Sequence, residues 1–186
     1  LRLQVHCSPM RFLVIGGSGM LGSDLVAELQ SRGHDVFSPS RAELDATDPM
    51  SVAAGFEAAK PDWVINCAAY TAVDQAERDV DAAHAVNARA PAVLAEEAQM
   101  LGALMVHYST DYVFDGKAST PYPVGHPIAP VNAYGRSKAA GEAAIRASGC
   151  EHLLVRTSWL YAPWGRNFVL TMISLGREKE SIRVVE

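Results

Sequence analysis

Little in this chain is basic, and little of it is cysteine. Lys and Arg number 16 among 186 residues against 21 Asp and Glu, for a formal net charge of -5. With no cationic surplus to neutralise phosphates, nonspecific binding to nucleic acid is excluded, although a small anionic ligand needs only a local site. The three cysteines, Cys7, Cys67 and Cys150, are an odd number without a C-x-x-C pair, so neither a disulfide framework nor a zinc knuckle is expected. The six histidines show no H-x-x-x-H spacing; a dedicated metal site has little support, and Mg2+ stays a candidate that the sequence does not support. A run of 18 apolar residues is also missing, which argues against a transmembrane helix. The opening "LRLQVHCSPM" lacks the apolar stretch of a signal peptide. The expectation is a cytoplasmic protein whose natural start is Met10, with residues 1–9 an N-terminal extension and residues 10–186 one domain.

What is present suits a folded core. Hydrophobic residues make up 49% and charged residues 20%, which places the chain among ordinary globular proteins. "RFLVIG" (11–16), "DVFS" (35–38), "WVINCAA" (63–69), "ALMVHYS" (103–109), "HLLVRTS" (152–158) and "SIRVV" (181–185) are short apolar runs of strand length. Between them, helices are predicted at residues 23–32, at residues 49–59 with Asp48 as cap and Pro49 in the first turn, and at residues 79–101 with an interruption near Pro91. Two more are predicted at about residues 134–147 and at residues 167–177. Strands alternating with helices imply parallel strands joined by crossovers, hence an α/β doubly wound, Rossmann-like sheet. One long irregular stretch, residues 110–133, follows the fourth strand. Ligands of open α/β sheets bind beyond the carboxyl ends of strands, so this loop is a candidate wall of a site.

The first strand runs into "VIGGSGMLGSDL", whose glycines fit both G-x-G-x-x-G and G-x-x-G-x-x-G. Residues without Cβ let the backbone turn sharply and approach a pyrophosphate, which the helix N-terminus then receives. Gly16, Gly19, Met20, Leu21 and Gly22 are therefore candidate dinucleotide contacts. An acid about 20 positions on would hold the ribose hydroxyls of NAD, but "FSPSR" (37–41) has none. Ser38, Ser40 and Arg41 offer instead a receptor for a 2′-phosphate, which favours NADP (NADPH) and leaves NAD as the second candidate. Asp45 falls at a plausible distance to meet the adenine end.

"VNAYGRSKAAGEAA" (131–144) places Tyr134 and Lys138 four residues apart, on one face of a predicted helix. A phenol is poorly matched to proton transfer at neutral pH, and a nearby ammonium favours its ionised form. The pair reads as a proton donor, Tyr134, beside a lysine that lowers its pKa and holds ribose hydroxyls; Thr110 adds a donor toward the same carbonyl oxygen. Asn66 and Asn87 read as structural hydrogen-bonders and Cys67 as buried packing.

Taken in order, residues 16–22, "NCAAYTAVDQAE" (66–77), "HYSTDYVFDG" (107–116), "NAYGRSK" (132–138) and "LLVRTSWLYA" (153–162) resemble the extended short-chain dehydrogenase/reductases, and within them the dTDP-4-dehydrorhamnose reductase family. The resemblance implies NAD(P)H-dependent reduction of the 4-keto group of dTDP-6-deoxy-L-lyxo-4-hexulose to dTDP-L-rhamnose, a step in cell-wall polysaccharide biosynthesis. It implies Thr110, Tyr134 and Lys138 as the catalytic set and Thr110, Asp111 and Trp159 as sugar-nucleotide contacts. Ala69, Tyr70, Thr71 and Tyr108 are implied to line the cofactor. Gln75 stands where the family usually has Lys. The resemblance also implies a smaller substrate lobe continuing beyond residue 186, and it is compatible with a homodimer. The alternatives are another sugar-nucleotide reductase or epimerase of the superfamily, or a non-catalytic NADP-binding regulatory subunit. A dehydratase is disfavoured, because Thr110 is followed by Asp111 and Tyr112 rather than by an Asp-Glu pair.

Overall fold

The computed structural model describes residues 8–182. Five strands form one sheet in the order β2-β1-β3-β4-β5: β1 (Arg11–Ile15), β2 (Asp35–Phe37), β3 (Trp63–Asn66), β4 (Leu104–Thr110) and β5 (His152–Thr157), every neighbouring pair parallel. The helices are α1 (Met20–Ser31), α2 (Pro49–Ala59), α3 (Val80–His84), α4 (Ala90–Leu101), α5 (Ala133–Ser148) and α6 (Phe168–Glu178). The pleat of β1 sends Leu13 and Ile15 into one core, with Val52 and Phe56 of α2, Leu94 of α4 and Ile145 of α5. Phe12 and Val14 point the other way, against Leu25, Val26 and Leu29 of α1. Both faces are thus covered, which explains why the strands read as apolar runs rather than alternating ones. Each fully buried Leu or Phe contributes about 1.5–3 kcal/mol relative to exposure. The strand order reverses between β1 and β3, so the crevice at their carboxyl ends is where such a sheet receives a ligand.

The element boundaries depart from expectation in informative ways. Helix α1 begins at Met20, three residues before the predicted start, because Gly19 is extended (φ -75°, ψ 169°) and serves as N-cap. The glycines hid that first turn from a pattern reading. Strand β3 ends at Asn66 rather than at residue 69, since the Asn66 side chain accepts the Ala68 N–H at 3.1 Å and curls the chain away. The interruption expected near Pro91 lies one turn earlier, as a widened π turn over Ala85–Arg89 between α3 and α4. Pro91 has no N–H to donate, and the helix accommodates this by a bulge instead of a break. The predicted cap holds, Asp48 accepting the Met50 N–H at 3.0 Å; Asn132, which the sequence reading did not single out, caps α5 by accepting the Gly135 N–H at 2.7 Å. Ser181 and Ile182 are irregular, and the rest of the predicted last strand lies outside the described residues, as does most of the 1–9 extension. Among the described residues no helix is long and apolar enough to cross a membrane.

Candidate active site

The glycine turn leaves the start of α1 open to an anion. Gly16 has φ +77°, a conformation that favours glycine, and its carbonyl accepts the Gly19 N–H at 3.0 Å. Gly22 rests against the Gly16 carbonyl and Gly17 Cα, with no room for a Cβ. No side chain caps α1. The N–H groups of Met20, Leu21 and Gly22 therefore face outward at the positive end of the helix, a site whose chemistry fits a dinucleotide pyrophosphate.

Met20 and Leu21 form one wall of a cleft of about 380 Å³ at the switch point. Ala69, Thr71, Tyr108, Thr110, Asp111, Tyr134, Lys138 and Trp159 also line it. Most of the predicted site is thereby brought together from five separate segments. Gly16, Gly19 and Gly22 of the glycine turn do not line this cleft, and neither do Tyr70, Arg41 and Asp45. Tyr70 is held elsewhere: its N–H and carbonyl are both clamped by the Asn87 amide (2.9 and 3.0 Å), and its hydroxyl donates to Asp79 at 3.0 Å. Arg41 and Asp45 lie beyond the end of β2, where Arg41 approaches Asp45 at 3.7 Å with its side chain 80% exposed. The Asp45 carboxyl is held below its ordinary range by hydrogen bonds from the Thr47 side chain and N–H, with Arg41 adding to the effect.

Within the cleft, Thr110 ends β4. Its hydroxyl donates to Asp111 at 3.0 Å and accepts the Tyr112 N–H at 3.2 Å, so it caps a turn as well as facing the site. Tyr134 is buried, with the Tyr112 ring edge-on at 5.5 Å. Burial pushes its phenol pKa up; Thr110 acts against that, while Asp111 and Tyr112 add to it. This reverses the expected direction. The reason is geometric: Lys138 does not reach toward the phenol but turns its Nζ to the Tyr108 carbonyl (2.6 Å) and to His107 Nε2 (3.2 Å). Burial in turn pushes Lys138 down to about 8, Glu142 opposing. Trp159 is not a core aromatic: it is 71% exposed, adopts φ +54°, and meets Phe168 edge-on at 4.9 Å. Cys67 is half-buried beside the cleft, its thiol pushed up to about 12 by burial. Among the described residues no group of three or more His, Cys, Asp or Glu is placed to hold a metal ion.

Two partners of the site escaped the sequence reading. His107 is fully buried between Asn66 Nδ2 (3.1 Å from Nδ1) and Lys138; nothing in a lone histidine on a strand announces this. Glu142 is fully buried one turn beyond Lys138 and is bound by Arg156 at 2.7 and 2.8 Å and by Arg146 at 3.0 Å. Burial pushes its carboxyl up, but Arg156, Ser109 and Arg146 outweigh that and hold it at about 2. The spacing Tyr134, Lys138, Glu142 was a usable signal, because three polar residues four apart share one helical face. Asn87 is a structural hydrogen-bonder as expected, although it lies in the π turn and reaches Ser137 as well at 3.0 Å.

This arrangement has close counterparts. The chain is 47% identical over 176 residues to a dTDP-4-dehydrorhamnose reductase of Burkholderia thailandensis, covering 95% of this chain and 59% of that one. It is 46% identical over 177 residues to a probable dTDP-4,6-dihydroxy-2-methyloxan-3-one 4-ketoreductase of Streptomyces antibioticus, covering 95% and 60%. The crystal structure of a Bacillus anthracis dTDP-4-dehydrorhamnose reductase in complex with NADP superposes with a TM-score of 0.90 at 41% identity, covering 94% of this chain and 62% of that one. The chain thus spans about three fifths of the length of these relatives. Residues 10–186 match the family model described as the RmlD substrate binding domain, and with this fold and these relatives the chain belongs to that family.

Proposed function

We propose that the protein reduces a dTDP-linked 4-keto-6-deoxy sugar, dTDP-4-dehydrorhamnose, with NADPH. The observation that carries this reading is a single cleft with the uncapped N-terminus of α1 at one end and Thr110, Tyr134 and Lys138 at the other. Relatives named for this reduction, one of them solved with NADP, support it. Met20, Leu21 and Gly22 meet the pyrophosphate through their N–H groups, Arg41 and Ser38 meet a 2′-phosphate, and Ala69, Thr71 and Tyr108 flank the ribose and nicotinamide. The bound dinucleotide supplies the hydride to the carbonyl carbon. Tyr134, kept protonated by its burial, donates its proton to the developing alkoxide, and Thr110 steadies the same oxygen with a hydrogen bond. Lys138, anchored on the Tyr108 carbonyl, presents its remaining N–H groups to ribose hydroxyls and supplies positive charge when the phenol ionises. Asp111 and Trp159, at the open side of the cleft, meet the sugar nucleotide.

Steady-state oxidation of NADPH in the presence of the 4-keto sugar nucleotide tests the reading, with the product's C4 configuration assigned by NMR. Turnover to dTDP-L-rhamnose is expected. Reduction to the opposite C4 configuration would instead favour a 4-ketoreductase of different stereospecificity. NADPH binding without turnover of any 4-keto sugar would favour a regulatory role.

A further inference from the structure

The hydrogen bonds behind Lys138 run in one direction. The Ala68 N–H donates to Asn66 Oδ1 at 3.1 Å, which fixes the orientation of that amide. Asn66 Nδ2 then faces His107 Nδ1 at 3.1 Å, so Nδ1 must accept. A neutral imidazole has one N–H, which this assigns to Nε2, 3.2 Å from Lys138 Nζ. Asn66, His107 and Lys138 are 1%, 0% and 2% exposed, so water cannot repair a mismatch among them. An ammonium has donors only and would oppose N–H to N–H at Nε2. A neutral amine accepts from Nε2–H and still donates to the Tyr108 carbonyl. For Lys138 to be charged and satisfied, His107 must move its proton to Nδ1. The Asn66 amide must then turn its oxygen to His107, which leaves the Ala68 N–H without its acceptor.

We infer that Asn66 and His107 are positioning residues that control the proton on Lys138, through a one-way chain from the Ala68 N–H to Asn66, His107 and Lys138. The inference rests on the reading of Lys138 as part of the catalytic set. The other titratable groups around the lysine are Tyr134 and Glu142 on α5, Tyr108 and His107 on β4, Arg156 on β5 bound to Glu142, Asp111 after β4 and Cys67 after β3. Glu142 favours the charged amine, and burial opposes it. His107 itself is held down at about 3, by burial first and then by Lys138, so it remains neutral through the working range. The chain begins at Ala68, which lines the cleft, and so links the backbone of the cleft wall to the protonation of Lys138.

The test reads Lys138 directly, in the full chain without substrate or NADPH. The protein has four lysines, so 13Cε-lysine labelling with a Lys138→Met control assigns its NMR titration. In His107→Gln an amide oxygen accepts from the ammonium, and the midpoint of Lys138 should rise by about one pH unit, a tenfold gain in proton affinity. An unchanged midpoint in the folded variant overturns the inference. Should His107→Gln not fold, 15N shifts of His107 in the wild type decide: above the titration of Lys138 the Nε2–H tautomer is expected, and the Nδ1–H tautomer there refutes the chain. Failure of the reductase reading would show as absent turnover in wild-type protein, a result independent of either titration.

Discussion

Substitutions at Tyr134 and Arg41 test the proposed catalysis and the proposed cofactor choice separately. Tyr134→Phe keeps the ring against Tyr112 and removes only the acidic proton. Because positioned acid catalysis is worth typically ~10²–10⁴-fold, kcat should fall by that order while NADPH affinity, read by calorimetry, changes little. A kcat within a factor of about two of wild type in the folded variant would discard Tyr134 as the acid. Arg41 is exposed and only loosely engaged by Asp45, so a 2′-phosphate can recruit it without dismantling a strong ion pair. Arg41→Ala should weaken NADPH by about 1.5–3 kcal/mol, the range for a charge-assisted hydrogen bond, and leave NADH nearly unaffected. Equal wild-type affinities for the two would show that "FSPSR" does not read the 2′-phosphate. That Tyr134 and Lys138 share one helical face was legible in the sequence. The direction of the Tyr134 shift was not, because it depends on where Lys138 points, and that is set by the Tyr108 carbonyl and His107.

Helix α5 carries the site and also fastens it to the sheet. Its polar face of Tyr134, Lys138 and Glu142 is buried, and the last of these grips Arg156 of β5. A carboxyl held at about 2 instead of its ordinary 4.5 contributes stability that is fully present above pH 4.5 and is lost as the pH falls through 2. The two values correspond to about 3 kcal/mol. His107, lowered to about 3 from 6.5, acts in a higher window: its contribution is present above pH 6.5 and lost as the pH falls toward 3. Urea titrations of Glu142→Gln should therefore lose the share of the pH dependence that Glu142 supplies between about 4.5 and 2, and keep the His107 share, which runs from about 6.5 down to about 3. At pH 7 the variant should be less stable by about 3–5 kcal/mol, since Arg156 is left without its partner. A pH dependence identical to wild type would mean that Glu142 is not the group responsible. Beside that face of α5, a Cβ at Gly141 would run into the Asn87 carbonyl of the π turn. Gly141→Ala should cost about 1–3 kcal/mol through overpacking, visible as a lowered melting temperature. The helix itself was readable from the sequence, although its cap, Asn132, was not singled out. The π turn was not, because Pro91 states only that an N–H is missing and not how the helix absorbs the loss.

Across the whole molecule, the cleft is assembled from the loops after β1, β3, β4 and β5 and from the start of α5, so a ligand that fills it ties separate parts of the chain together. NADPH at about a hundred times its Kd should stabilise the fold by about 2.7 kcal/mol, raising the melting temperature by roughly 5–10 °C for a domain of this size. No shift in a thermal melt at saturating NADPH would count against the cofactor site. The sequence by itself determined the alternation of strands and helices, the glycine turn and the placement of Tyr134 and Lys138 on one helical face. Each of these is written in residues close together in the chain, where the periods of helix and strand act. The tertiary structure alone decided that Asn66 meets His107 across 41 positions and His107 meets Lys138 across 31, that Tyr70 turns to Asp79, and that Glu142 pairs with Arg156. Contacts between distant segments follow from the order of strands in the sheet and the close packing of α5 upon it, and no local pattern of residues records either.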